Sequence, residues 1–134
     1  MKNGFEVIDS HCHIYPEKIV EKAVHGTDNF YGVVSACYGT VDDLLVQGKK
    51  AGIDRFIVQS VATTPKQVNS INNFVAEQVE FSGGKLIGLG TLHQDSLDMI
   101  SDVKNIVSLG LKGIKLHPEI QGFKIDEKRY YLIY

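Results

Sequence analysis

The 134-residue chain is long enough to bury one core but too short for two ordinary domains, and 43% of its residues are hydrophobic. Its net charge is −2, and its basic residues are interspersed with acidic ones, which argues against a nucleic-acid partner. No apolar run approaches the roughly 20 residues that cross a bilayer, and residues 1–6 lack a signal-peptide core. We therefore expect a cytoplasmic protein with no membrane partner, in which Cys12 and Cys37 are reduced.

Short apolar runs alternate with longer segments of helical period, which is typical of βα units that build a parallel sheet. The first run predicts a strand over residues 5–8, and a helix over residues 16–24 follows it, with Gly26 as its stop. Thr40 is predicted to cap a second helix that ends at Gly52.

The same alternation continues through the middle of the chain. A second strand is predicted over residues 55–61, and Thr64 is predicted to open a helix that ends at the glycine pair beginning with Gly83. A third buried strand is predicted over residues 85–92.

A fourth βα unit is predicted in the last third of the chain. Asp95 or Ser96 is expected to open a helix that carries Leu97 in its apolar stripe and ends before Gly110. Residues 111–116 are then predicted to form the fourth strand.

One more helix is predicted over residues 127–134, with Asp126 as its N-cap and a run of tyrosines that we expect to be exposed. This segment stops after about two turns, and no linker or domain boundary precedes it. We therefore expect residues 1–134 to be one domain, truncated from a longer repeat architecture.

Polar side chains with metal-ligand chemistry follow the first strand. Because side chains alternate along a strand, Asp9, His11 and His13 are predicted to share one face, where the two imidazoles can hold a divalent ion such as zinc. Asp9 is expected to orient one of the metal ligands. Cys12 is expected to point the opposite way and to pack against a covering helix. A His-x-His pair also occurs by chance, but this pair falls at the carboxyl end of a parallel strand, where βα folds place ligands.

A second polar cluster ends the fourth strand, where Gly113, Lys115 and His117 are predicted to share a face. A lysine in a barrel mouth is costly unless it is paired, neutral or modified, so Lys115 is a candidate catalytic residue; alternatively it extends into solvent. His117 is a candidate for contact with substrate or metal, and the alternative is a loop histidine bonded to a backbone carbonyl.

Weaker candidates lie elsewhere at strand ends. His93 can face the site or be an ordinary loop histidine, and Gln59 and Ser60 are most simply residues at the edge of the core. His25 is expected to be a solvated residue in the last turn of the first helix. The Gly-x-Gly of the third strand lacks a third glycine and does not open a helix, so no dinucleotide site is predicted.

Three segments resemble the amidohydrolase-related (amidohydrolase 2) family of metal-dependent hydrolases and decarboxylases: residues 8–13 with Pro16, residues 86–93, and residues 112–118 with Gln121. In that family the two histidines of the first-strand motif are metal ligands. The resemblance therefore implies that His11 and His13 bind a divalent metal, with zinc as the expected ion. The family fold is a (β/α)₈ TIM barrel of about 250 residues, and this α/β chain resembles its N-terminal half, with about four βα units.

The resemblance implies a hydrolase in which metal-activated water attacks an amide, ester or related bond of a small-molecule substrate. A further histidine ligand after the fifth strand and an aspartate after the eighth complete the site in the family, and this sequence holds neither. Whether the chain alone is an enzyme therefore stays open. In some branches a lysine at the end of the fourth strand is carboxylated and bridges two metals, and Lys115 is near that place.

Other readings also remain open. The family's second chemistry is non-oxidative decarboxylation. A different class is a catalytically incomplete half-barrel that self-associates through open sheet edges. A third reading is a small doubly wound α/β binding protein in which the histidines are incidental.

Overall fold

Parallel strands and helices alternate along the chain in the computed structural model, which describes residues 4–133. The strands are Ile8–Cys12 (β1), Arg55–Val58 (β2), Leu86–Gly88 (β3), Gly90–Thr91 (β4) and Ile114–Lys115 (β5). The α-helices are Val20–Tyr31 (α1), Val41–Ala51 (α2), Val68–Phe81 (α3), Met99–Ser108 (α4) and Pro118–Gln121 (α5). Short 3₁₀ helices occur at Glu17–Ile19, Pro65–Gln67 and Lys128–Leu132. Within residues 4–133, no helix combines the length and apolar character that crossing a membrane requires.

The strands pair in chain order, and every pairing is parallel: β1 with β2, β2 with β3, and β4 with β5. Only Leu89 separates β3 from β4, and its N–H donates to the Val58 carbonyl at 3.0 Å. On the other side, the N–H of Lys112 donates to the Gly88 carbonyl at 2.8 Å. The predicted α/β class with a parallel sheet is confirmed, and the carboxyl ends of paired strands lie at a common edge.

The strand boundaries differ from the predicted ones. β1 begins at Ile8, where the predicted strand was to end, and Phe5 is 74% exposed rather than buried. The second and fourth strands are shorter than predicted, and the third is interrupted. One reason is that side chains satisfy the backbone past the strand ends, since the N–H of Ala62 donates to the hydroxyl oxygen of Thr91 at 3.1 Å.

α1 is longer than predicted, because Gly26 lies inside the helix and does not stop it. A glycine ends a helix well when it adopts a positive φ, and Gly32 does so with a φ of 65°. His25 is therefore in the body of the helix, and the expected contact with the helix C-terminus is wrong.

The residues predicted to begin and end α2, and the residue predicted to begin the segment before α3, have these roles in the structure. The Thr40 hydroxyl accepts the N–H of Asp43 at 3.2 Å, and Gly52 ends α2 with a φ of 76°. Thr64 forms a capping box with Gln67, although the first turn after it is a 3₁₀ helix.

The last third of the chain departs most from prediction. Asp98, rather than Asp95 or Ser96, caps α4, because its carboxylate accepts the N–H of Ser101 at 2.9 Å. Leu97 consequently lies outside the helix and is fully exposed.

The predicted terminal helix is a 3₁₀ helix, Lys128–Leu132, with Glu127 rather than Asp126 as its N-cap. Tyr130 is fully buried instead of exposed, with its ring 4.4 Å from that of Phe123. Tyr134 lies outside the described residues.

The core lies between the strands and the helices that cover them. Its buried side chains include Cys12, Ile14, Phe56, Val58, Val75, Leu86, Leu92, Ile106 and Leu111. Gly48 allows α2 to approach the sheet, since a Cβ there would come within 2.0 Å of the Phe56 ring.

Candidate functional site

The candidate site consists of four side chains at the carboxyl ends of β1 and β5: His11, His13, Lys115 and His117. The ring centroids of His11 and His13 are 5.1 Å apart. Burial lowers the pKa of His13, and the nearby charge of His11 lowers it further, while a hydrogen bond with the Gln59 backbone acts in the opposite direction. Charges on Lys115 and His117 also lower this pKa. The cluster that follows β1 and the cluster that ends β5 are therefore coupled electrostatically at His13.

A β-bulge lies in β1 between Asp9 and Cys12. Asp9 pairs with Phe56 and Cys12 with Val58, so three steps along β1 match two along β2. Asp9 and Cys12 thus occupy equivalent positions relative to β2, while Asp9 and His13 line the same pocket. The Asp9 carboxylate accepts the backbone N–H of His11 at 3.1 Å, so it fixes the main chain at this histidine.

Cys12 lies in the core, with 5% of its surface exposed, in agreement with the predicted packing role. Burial, together with the neighbouring Asp9 side chain, raises the pKa of the thiol to about 12. The thiol is therefore protonated at neutral pH and is a poor nucleophile and metal ligand in this position.

The His11–His13 pair suits the first two positions of a metal ligand set. The Nδ1 atom of His13 is buried and has no hydrogen-bond partner within residues 4–133, so its bonding capacity is available. No group of three or more His, Cys, Asp or Glu side chains that could hold a metal is found in that same part of the chain. Structural and catalytic zinc sites have three or four protein ligands, so a complete site needs donors in addition to this pair.

His117 is held by both ring nitrogens. It caps α5, with Nδ1 accepting the N–H of Ile120 at 3.2 Å, and its Nε2 lies 2.7 Å from the Tyr31 hydroxyl oxygen. The alternative of a loop histidine bonded to a backbone carbonyl is therefore wrong, since the backbone partner is an N–H. The sequence did not indicate Tyr31, because the helix that carries it was expected to end at Gly26.

Gln121 connects the ends of three strands beneath the site. Its Oε1 accepts the backbone N–H of His117 at 2.9 Å, and its Nε2 donates to the carbonyls of Ala62 at 2.9 Å and Leu92 at 2.6 Å. Only 4% of its surface is exposed. Gln121 therefore positions the backbone of His117, a role that the sequence pattern alone did not suggest.

The weaker candidates have structural partners. His93 is buried, its Nδ1 accepts the N–H of Asp95 at 3.2 Å, and the same nitrogen is 3.8 Å from the Asp95 carboxylate. Ser60 is buried and donates to the Ile14 carbonyl at 3.0 Å. Gln59 is buried next to His13, and His25 is exposed on α1.

No protein-family model matches the chain, and a search of curated proteins also finds no match. Function is therefore inferred from the fold and from these side chains. They define a parallel α/β protein with a polar, histidine-rich cluster at the carboxyl ends of its strands, which is the edge where such folds bind ligands.

Proposed function

We propose that the chain is the N-terminal half of a (β/α)₈ barrel of the amidohydrolase-related type and contributes to a metal-dependent hydrolase site. The strand order supports this, because parallel strands that pair in chain order, with helices between them, are the repeating unit of that barrel. The polar cluster lies at the carboxyl ends of the strands, where TIM-barrel enzymes carry their active sites.

One observation carries the proposal: His13 follows β1, and Lys115 and His117, more than 100 positions later, end β5, so both groups lie at the carboxyl ends of parallel strands. In the proposed site, His11 and His13 are metal ligands. A divalent ion, which we propose to be zinc, would supply Lewis-acid activation of water for attack on an amide, ester or related bond.

The chain's own residues have separate roles in this proposal. Asp9 fixes the backbone at His11 through its carboxylate. Lys115 supplies a positive charge near His13 and is suited to bind a negatively charged or carbonyl oxygen of a small-molecule substrate. We place this chemistry in the cytoplasm, where the two free cysteines, Cys12 and Cys37, stay reduced.

The test is zinc binding by the purified, chelator-treated protein, measured by calorimetric titration with zinc. The double variant His11→Ala, His13→Ala is compared with His25→Ala, which removes an exposed imidazole from α1. We expect zinc binding to be lost in the double variant and retained in His25→Ala. An unchanged zinc affinity in the double variant would contradict the proposed ligands.

A decarboxylase is distinguished by its product. Carbon dioxide release from aromatic or unsaturated acids, with no zinc-dependent ester hydrolysis, would replace the hydrolase by the family's second chemistry. Both reactions would require His11 and His13.

Self-association is a second candidate property, and exposed apolar surface favours it. Among residues 4–133, the large apolar side chains that are at least about three-quarters exposed are Phe5 at 74%, Val34 at 93%, Tyr38 at 78%, Phe81 at 76%, Leu97 at 106% and Leu132 at 74%. Sedimentation velocity over a hundredfold range, about 1–100 μM, should show a concentration-dependent oligomer, and a monomer throughout would contradict self-association.

A further inference from the structure

The pocket that Asp9 lines has a volume of about 220 Å³ and lies between α2 and the strands β1 and β2. Much of its wall is apolar, with Leu44 from α2 and the buried ring of Phe56 from β2. Cys37 and Gln47 also line the pocket and are exposed, so it is open to solvent. An apolar cavity of about 150 Å³ can hold a benzene molecule, so this pocket has room for one small ring.

Two carboxylates line the same pocket, Asp9 from β1 and Asp43 from α2, and both residues are partly buried. Of the residues that the structure describes, no lysine or arginine lines the pocket. The ion pairs within residues 4–133 also include neither carboxylate. Because partly buried carboxylates are stabilised by a nearby positive charge, the pocket favours a ligand that brings one.

The Asp43 carboxylate is held in a fixed orientation. Its Oδ2 accepts the backbone N–H of Tyr38 at 2.8 Å, and its Oδ1 accepts a side-chain N–H of Gln47 at 3.1 Å. An ionised carboxylate can accept about four hydrogen bonds, so both oxygens retain capacity for a further donor. A ligand N–H therefore meets an acceptor whose position is already set by the chain.

The apolar wall decides which kind of cation suits the pocket. Within residues 4–133, no group of three or more His, Cys, Asp or Glu side chains that could hold a metal is found. Leu44 and Phe56 offer no ligand to a hydrated metal ion, but they favour contact with carbon atoms. An organic cation satisfies both parts of the pocket, because its charged group can pair with a carboxylate while its apolar body leaves water.

We propose that this pocket binds a small organic cation, an ammonium or amidinium group carried by an apolar body. The cationic group donates to the Asp43 carboxylate, the Asp9 carboxylate adds negative potential, and the apolar body packs against Leu44 and Phe56. Binding here needs no metal ion and no reaction. The inference therefore goes beyond the proposed hydrolase, and either can fail without the other.

The first test is titration of the ¹⁵N-labelled protein with benzylammonium chloride, followed by amide NMR shifts. A chelator is present to keep metal ions away from His13, which also lines the pocket. Benzyl alcohol is the matched ligand, since it has the same ring and no charge. We expect saturable shifts at the residues that line the pocket and about tenfold weaker binding of the alcohol. Equal affinity for the two ligands, or no saturable shift with benzylammonium, would overturn the proposal.

The second test compares Asp43→Asn with Asp42→Asn. Both aspartates lie in the first turn of α2, so each variant removes one charge from the same helix end. Asp42 is exposed and is not part of the pocket wall. Asp43→Asn should weaken benzylammonium binding about tenfold, and Asp42→Asn should leave it unchanged. Equal affinities of the two variants would contradict the role of Asp43.

The third test locates the ligand without any variant. Because Cys37 lines the pocket, saturating benzylammonium should slow the alkylation of this thiol by iodoacetamide, measured by mass spectrometry. Benzyl alcohol at the same concentration should slow it much less. An unchanged alkylation rate at saturating benzylammonium would place the cation elsewhere on the protein and overturn the assignment of this pocket.

Discussion

Replacing Gln121 by methionine tests whether the hydrogen bonds beneath the site stabilise the fold. The change keeps a side chain of similar size but removes the acceptor for the His117 N–H and the donor for the carbonyls of Ala62 and Leu92. Each hydrogen bond contributes about 1 kcal/mol net, so the loss of these three is expected to lower the free energy of unfolding by about 3 kcal/mol. That is a large part of the roughly 5–15 kcal/mol that stabilises a typical domain.

The assay is urea unfolding followed by circular dichroism, with Gln47→Met as the matched control. Gln47 is exposed and donates one hydrogen bond to Asp43 at 3.1 Å, so its replacement should change stability by less than about 0.5 kcal/mol. With a urea dependence of about 2 kcal/mol per molar, Gln121→Met should lower the midpoint by about 1.5 M. A loss below about 1 kcal/mol would refute the reasoning that these buried bonds stabilise the strand ends.

Two further predictions concern packing and thiol chemistry. Gly48→Ala should destabilise the fold by about 1–3 kcal/mol in the same urea assay, because its Cβ would meet the Phe56 ring at 2.0 Å. Gly26→Ala is the control, since its Cβ meets nothing within 4 Å inside α1, and it should stabilise by up to about 1 kcal/mol. Iodoacetamide at pH 8 should alkylate exposed Cys37 well before Cys12, because burial raises the Cys12 pKa to about 12 and keeps the thiol protonated. Mass spectrometry that found equal labelling in the folded protein would contradict the buried position of Cys12.

The elements that could be predicted from sequence are those that local side chains define. Thr40 and Gly52 mark the ends of α2 through a hydroxyl cap and a positive φ, and Thr64 begins the next helical segment through a capping box with Gln67. The end of α1 could not be predicted, because both Gly26 and Gly32 are acceptable stops locally and packing decides between them. Likewise, the bulge between Asp9 and Cys12 depends on the pairing of β1 with β2.

The candidate site was predictable to the extent that it follows from parallel strands. Charges on Lys115 and His117 influence the pKa of His13 because parallel strands direct their carboxyl ends to the same side of the fold. Tyr31 and Gln121 were not predictable from pattern, since their partners lie 86 and 59 residues away in the chain. Such contacts exist only after the helices have packed on the sheet.

The central claim is that His11 and His13 hold a metal ion. Its most direct test is elemental mass spectrometry of the protein purified without a histidine tag, beside the His11→Ala, His13→Ala double variant. We expect the parent to bind zinc after incubation with the ion and the double variant to lose it. Equal metal content in the two proteins, or no metal in either after incubation with zinc, would contradict it.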